Sequence, residues 1–138
     1  MLGKISVRKF KPKTVKTGIE TTMRKMDLQE AFVEQNPNLS KLQEECKGKQ
    51  LSINVTFYLN ENTPDKTSYK KDLDNLLKIL MDVIKEEMDD DDKKIGLGLV
   101  IGNKDEEIFE IICHKEFVQS EDEEGIDLVL SEWTNRQQ

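Results

Sequence analysis

The chain has 138 residues, enough for one domain with a real core and short enough that pairing with a second copy would help to stabilise it. Charged and apolar residues each make up 36%, and the apolar ones fall in periodic blocks, which excludes a disordered chain. The net charge of −7 taken alone argues against nucleic-acid binding, but residues 1–26 carry Lys4, Arg8, Lys9, Lys11, Lys13, Lys16, Arg24 and Lys25 against Glu20 alone, and such a local basic face can still hold DNA.

In chain order, Ile5, Val7 and Lys9 alternate with other residues as in a short edge strand, after which Lys11-Pro12-Lys13 and Gly18 interrupt regular structure. Residues 1–26 are therefore read as a basic N-terminal arm or edge strand. Asp27 is placed to cap a helix carrying Leu28, Ala31 and Phe32, and Asn36-Pro37 to open a second helix with Leu39, Leu42 and Cys46 inward, ended by Gly48. Leu51, Ile53, Val55, Phe57 and Leu59 alternate with polar residues, the period of a half-buried strand. Turn residues from Asn60 to Asp65 then lead to a helix starting near Asp72. Its apolar face is Leu73, Leu76, Leu77, Leu80, Met81, Ile84 and Met88, leaving Asp74, Asn75, Lys78 and Asp82 on the other side.

Asp89 to Asp92 are four mutually repelling carboxylates, expected in a solvated turn without EF-hand spacing. Strands are expected over 95–101, 108–116 and 126–133. Helices followed by a run of strands predict an α+β fold, with a mixed or mostly antiparallel sheet packed against helices. Apolar runs are too short for a membrane span and the N-terminus lacks a signal peptide's apolar stretch, so a soluble, cytoplasmic protein is expected. Cys46 and Cys113 match no metal or disulfide spacing and read as reduced, buried thiols. His114 has no nucleophile partner in view, and Phe109, Phe117 and Trp133 read as core or dimer-seam residues.

Chemistry can reside on the polar face of the helix that follows Asp72. Two carboxylates entering a helix suit Mg²⁺, a hard cation that keeps waters for a phosphate and a nucleophile. On a regular helix Asp72 and Asp74 would diverge by about 200°, so one must sit at the very start. Lys78, one turn after Asp74, could support charge on a phosphate. Spacing alone favours simpler roles, an ion pair for Asp74 and Lys78 and an N-cap for Asp72.

The run Lys71-Asp72-Leu73-Asp74-Asn75-Leu76-Leu77-Lys78 resembles the signature of RusA-type Holliday junction resolvases, a basic approach followed by D-[LI]-D-N-L-x-K. Downstream, Asp91-Asp92-Lys93-Lys94-Ile95 stands where that family carries an acidic pair opening a strand, with Lys94 replacing glutamine. The likeness covers about residues 51–117 and leaves out the family's Asn-Arg-rich opening. It implies a single RusA-like nuclease domain over residues 1–138 that acts as a homodimer on branched DNA, nicking two strands symmetrically in recombination and repair. It implies Asp72, Asp74 and Asp92 as ligands of Mg²⁺, with Mn²⁺ as an alternative, and Lys78 as a further catalytic residue. Asp91 is the substitute for Asp92, and Lys104-Asp105-Glu106-Glu107-Ile108 is a lesser candidate for that segment. The basic residues Arg8, Lys9, Lys11, Lys13, Lys16, Arg24 and Lys25 are expected to contact phosphates without reading sequence. Because Lys94 departs from the pattern, a catalytically inactive branched-DNA-binding module of the same fold is the alternative, and an acidic protein-interaction domain is a second.

Overall fold

A computed structural model of the chain describes residues 1–12, 18–62, 73–85, 87–88, 94–100 and 107–135. Its elements, in order, are β1 (Gly3–Arg8), α1 (Gly18–Gln35), α2 (Leu39–Cys46), β2 (Leu51–Asn60), α3 (Leu73–Ile84), β3 (Glu87–Met88), β4 (Lys94–Ile95), β5 (Ile108–Val118) and β6 (Gly125–Glu132). The fold is α+β, as its element order implied. Four strands form a mixed sheet in the order β1-β6-β2-β5, with β5 parallel to β2 and the other pairs antiparallel, while β3 and β4 pair separately.

Strand alternation sorts the sheet into two faces. Ile5 and Val7 of β1, Ile53, Val55 and Phe57 of β2, and Ile126, Leu128 and Leu130 of β6 are buried in one core with Leu28 and Phe32 of α1, Leu39, Leu42 and Cys46 of α2, and Leu76, Ile79, Leu80, Val83 and Ile84 of α3. The opposite face carries rows of polar residues set by register: Ser6, Asp127, Thr56 and His114 lie side by side across β1, β6, β2 and β5.

The two ends of the sheet are finished differently. Along β1, Asn36 accepts from Ser6 N at 3.0 Å and donates to Ser6 O at 2.8 Å, while Gln35 accepts from Arg8 N at 2.8 Å and donates to Arg8 O at 3.1 Å. Two side-chain amides at the end of α1 thus occupy the hydrogen-bonding positions of a missing strand. On the far side β5 ends the sheet among the described residues and leaves Phe109, Ile111, Ile112 and Phe117 exposed.

Several local expectations change. Asp27 lies inside α1 and caps nothing, because the helix begins nine residues earlier. Asn36 does not open α2, whose N-cap is Asn38; its amide binds β1 and Phe32 O instead. β1 stops before Lys9, which adopts φ +56°. Met88 belongs to β3 and not to the helix, which stops at Ile84.

The expected strand over 95–101 is also absent among its described residues beyond Ile95. Gly96 (φ +95°) and Gly98 (φ +67°) break the extended path, and the chain wraps the end of α3, where Leu97 N donates to Val83 O at 2.7 Å and Leu99 N to Ile84 O at 2.9 Å. These contacts satisfy carbonyls that a helix C-terminus leaves without intrahelical partners, and they bury Leu97, Leu99 and Val100. No described helix is long and apolar enough to cross a membrane.

Candidate active site

The apolar period of α3 turns Leu76, Ile79, Leu80 and Val83 into the core and leaves Asp74, Asn75 and Lys78 exposed. Asp74 sits in the first helical turn, where a carboxylate is favoured by the positive end of the helix dipole. Asp74 and Lys78 open with Leu77, Met81, Asp82 and Lys85 onto a groove of about 470 Å³ whose other wall is Ile108 and Ile111 of β5. The floor is therefore apolar and one helix supplies its charges.

Those charges are arranged unequally. Asp82 is held by Lys25 of α1 at 2.7 Å and by Lys85 at 3.7 Å, and the Lys85 side chain is only 9% exposed. Asp74 and Lys78 form no ion pair with each other, although their spacing permits one. One carboxylate and one ammonium thus face the groove beside a carboxylate already neutralised by two lysines. An exposed carboxylate is the oxygen donor that a hard cation takes, so Asp74 fits the proposed ligand role chemically.

Of the expected metal ligands, Asp74 alone lies among the described residues; Asp72, Asp92 and its substitute Asp91 lie outside them. Among the described residues no group of three His, Cys, Asp or Glu side chains is gathered for a metal. The segment from Lys104 to Glu106 is likewise outside, with Glu107 just before β5 and Ile108 its first residue.

Those of the expected phosphate-contacting residues that are described do not share one face. Lys13 and Lys16 lie outside the described residues. Arg24 and Lys25 belong to α1 and not to an arm: Arg24 stacks over Phe10 at 5.3 Å, and Lys25 reaches the groove through Asp82. Lys9 is exposed and Lys11 half-buried just beyond β1. Arg8 is on the opposite face of the sheet, where its guanidinium meets Asp127 Oδ1 at 2.9 Å and lies 4.6 Å from the centre of the Tyr58 ring.

Asp127 gathers further partners on that face. Ser6 Oγ donates to Oδ1 at 2.7 Å, Tyr58 Oη donates to Oδ2 at 2.8 Å, and Lys4 Nζ lies 3.5 Å from Oδ2. Burial alone would raise its pKa, but the hydrogen bonds from Arg8, Ser6 and Tyr58 and the charge of Arg8 prevail and lower it to about 2. Tyr58 is pushed upward by burial and by its bond to Asp127.

Lys85 and the Asp127 cluster were not singled out from sequence. For Lys85 the available signal was its helical spacing from Asp82 and Lys78; for Asp127 there was none, because its partners come from two other strands, β1 and β2, brought to it by long-range register. The cysteines are free, Cys46 buried with its thiol raised to about 11 by loss of solvent, and Cys113 half-buried. His114 is exposed beside Thr56, at 3.2 Å, and Trp133 packs on Phe109 with ring centres 4.9 Å apart. Comparison of the chain with protein-family models, with curated proteins and with solved structures finds no match.

Proposed function

We propose that this chain is a metal-dependent structure-specific endonuclease, RusA-like in fold and chemistry, that acts as a homodimer and resolves four-way DNA junctions by hydrolysing a phosphodiester bond in each of two strands. The observation that carries this reading is the pairing of Asp74 and Lys78, one turn apart on α3, open to one groove and not neutralising each other. It is supported by the sequence around them, which resembles the resolvase signature.

Asp72, Asp74 and Asp92 would hold Mg²⁺ or Mn²⁺, with Asp91 as the substitute for the third. When bound, the ion supplies Lewis acidity toward a phosphate oxygen and lowers the pKa of a water. Lys78 places a cation where negative charge grows on the phosphate, an interaction stronger in the transition state than in the ground state. Lys25 and Lys85 neutralise Asp82, so that this neighbouring carboxylate does not repel the incoming backbone. Lys9, Lys11 and Arg24, with Arg8 on the other face, are the candidates for contacts to flanking phosphates, together with Lys13 and Lys16.

A two-fold dimer presents two identical sites to a nearly two-fold junction. The test is a supercoiled plasmid that extrudes a cruciform, incubated with the protein and Mg²⁺. Paired nicks convert it to linear molecules cut at the cruciform. Singly nicked circles would contradict coupled resolution, and intact plasmid with the junction bound would favour the inactive binding module.

A further inference from the structure

We propose that the groove between α3 and β5 is a binding site for one unstacked nucleotide of a DNA strand, whose base lies between Leu77 and Met81 on one side and Ile108 and Ile111 on the other. At about 470 Å³ the groove has the size of sites for organic ligands, about 300–1,000 Å³, and like them it joins apolar walls to a few charged groups. Leu77 and Met81 are one helical turn apart, about 6 Å along the axis. They and Ile108 are half-buried, and Ile111 is 44% exposed. Apolar surface open to water in this way gains free energy when a ligand covers it.

The charges select an anionic ligand. Lys78 and Lys85 line the groove and Lys25 joins them through Asp82, so three ammonium groups stand there against the carboxylates of Asp74 and Asp82, in a chain of net charge −7. A nucleotide in a strand matches both features, with a planar base that has two apolar faces and a phosphate on either side of it. A base inside a duplex has both faces covered by its neighbours, so only one taken out of its stack can enter. Leu, Ile and Met are among the side chains that replace a base's stacking contacts. From Asp74 to Lys85 the groove follows α3 for about 17 Å, long enough for the strand to lie along the helix beside the base.

The nuclease reading enters only in what this site is for, and that part rests on it. With the ion at Asp74 and Lys78 one turn away, the seated nucleotide adjoins the phosphate to be cut. Cleavage is then confined to branched DNA, where unpaired or poorly stacked bases cost least to extract.

Ile111 and Ile112 form a matched pair for the test, being neighbours on β5, 44% and 46% exposed, with only Ile111 in the groove. Full-length wild type, Ile111→Ser and Ile112→Ser, each checked for folding by circular dichroism, are titrated in EDTA with fluorescein-labelled oligothymidylate. They are also titrated with a four-way junction carrying 2-aminopurine at the crossing point, whose fluorescence rises when that base leaves its stack. In parallel, an oligothymidylate containing a photoreactive thymine is cross-linked to wild type and the attached peptide mapped by mass spectrometry, which needs no variant to fold. The site predicts oligothymidylate binding and a fluorescence rise with wild type and Ile112→Ser, binding weaker by about tenfold and no rise with Ile111→Ser, and cross-links at residues 77–81 or 108–111. No binding by wild type, equal affinity in the two variants, or cross-links confined to other residues overturns it. Junction cleavage is read separately in Mg²⁺. The predicted binding pattern without cleavage removes the nuclease reading and leaves the nucleotide site, and cleavage without that pattern does the reverse.

Discussion

Arg8 Nη1 lies 2.9 Å from Asp127 Oδ1, tying edge strand β1 to β6 across the open face of the sheet, while the same guanidinium stacks over Tyr58. Gly125 stands between Arg8 and Tyr58 in register, and a Cβ there would come within 1.8 Å of Val7 O, so glycine is what lets these strands close and the arginine cross.

Because the Asp127 carboxyl is lowered from 3.8 to about 2, the folded state favours the ionised form. The resulting stabilisation is fully present above the unfolded-state value of 3.8 and is lost as pH falls through about 2. It amounts to about 2 kcal/mol at neutral pH. Urea titrations at pH 7 and pH 2.5 should show wild type losing most of this difference, whereas Asp127→Asn, already destabilised by about 2–3 kcal/mol at pH 7, should lack that part of the pH dependence. A mutant as stable as wild type at pH 7 would contradict the assignment.

The Asn36 amide satisfies Ser6 N, Ser6 O and Phe32 O at once. Asn36→Ala should cost about 2–3 kcal/mol by leaving these groups without their partner, and should expose the β1 edge. Chemical denaturation gives the first quantity, and hydrogen exchange at the Ser6 amide, faster in the mutant, gives the second. Unchanged exchange at Ser6 would show that Asn36 does not cover the edge.

Gly96 has φ +95°, and a Cβ at that position would lie 1.8 Å from Lys85 O. Gly96→Ala should therefore push the 96–100 segment off the end of α3 and lower stability by at least about 2 kcal/mol. Gly48→Ala is the useful comparison: its φ is also positive, at +73°, but no atom would meet the added methyl within 4 Å, so its loss should be the smaller. Equal melting shifts for the two would contradict the steric account.

What could be read from sequence was local periodicity. The alternation from Leu51 to Leu59 gave β2, and the three-and-four spacing from Leu73 onward gave α3 with Asp74 and Lys78 on its open side. Where two local codes coincide, sequence misleads. Ile95, Leu97 and Leu99 alternate like a strand, but the intervening glycines take positive φ and turn those leucines into the core around a helix end. Asn36-Pro37 has helix-opening chemistry, yet the amide is claimed by β1, thirty residues earlier in the chain. The Asp82 lysine pair and the Asp127 cluster depend on tertiary placement and register, which no local pattern encodes. Asp72 and Asp92, legible through a family resemblance, lie outside the described residues.

Among the described residues Lys78 makes no ion pair, so its removal should leave the fold intact. Lys78→Met should melt within about 0.5 kcal/mol of wild type and bind a four-way junction with little change, while single-turnover cleavage falls by about 10²–10³. A proportionate loss of binding and cleavage would make Lys78 a docking residue and not a catalytic one.

The most direct test of the central claim is cleavage of a labelled four-way junction in Mg²⁺ by wild type and by Asp74→Asn, with linear duplex as control and junction binding measured alongside. The nuclease reading predicts symmetric paired nicks in the junction by wild type, none in the duplex, and junction binding without cleavage by Asp74→Asn. Tight junction binding with no cleavage by either protein, or equal cleavage by both, would contradict it.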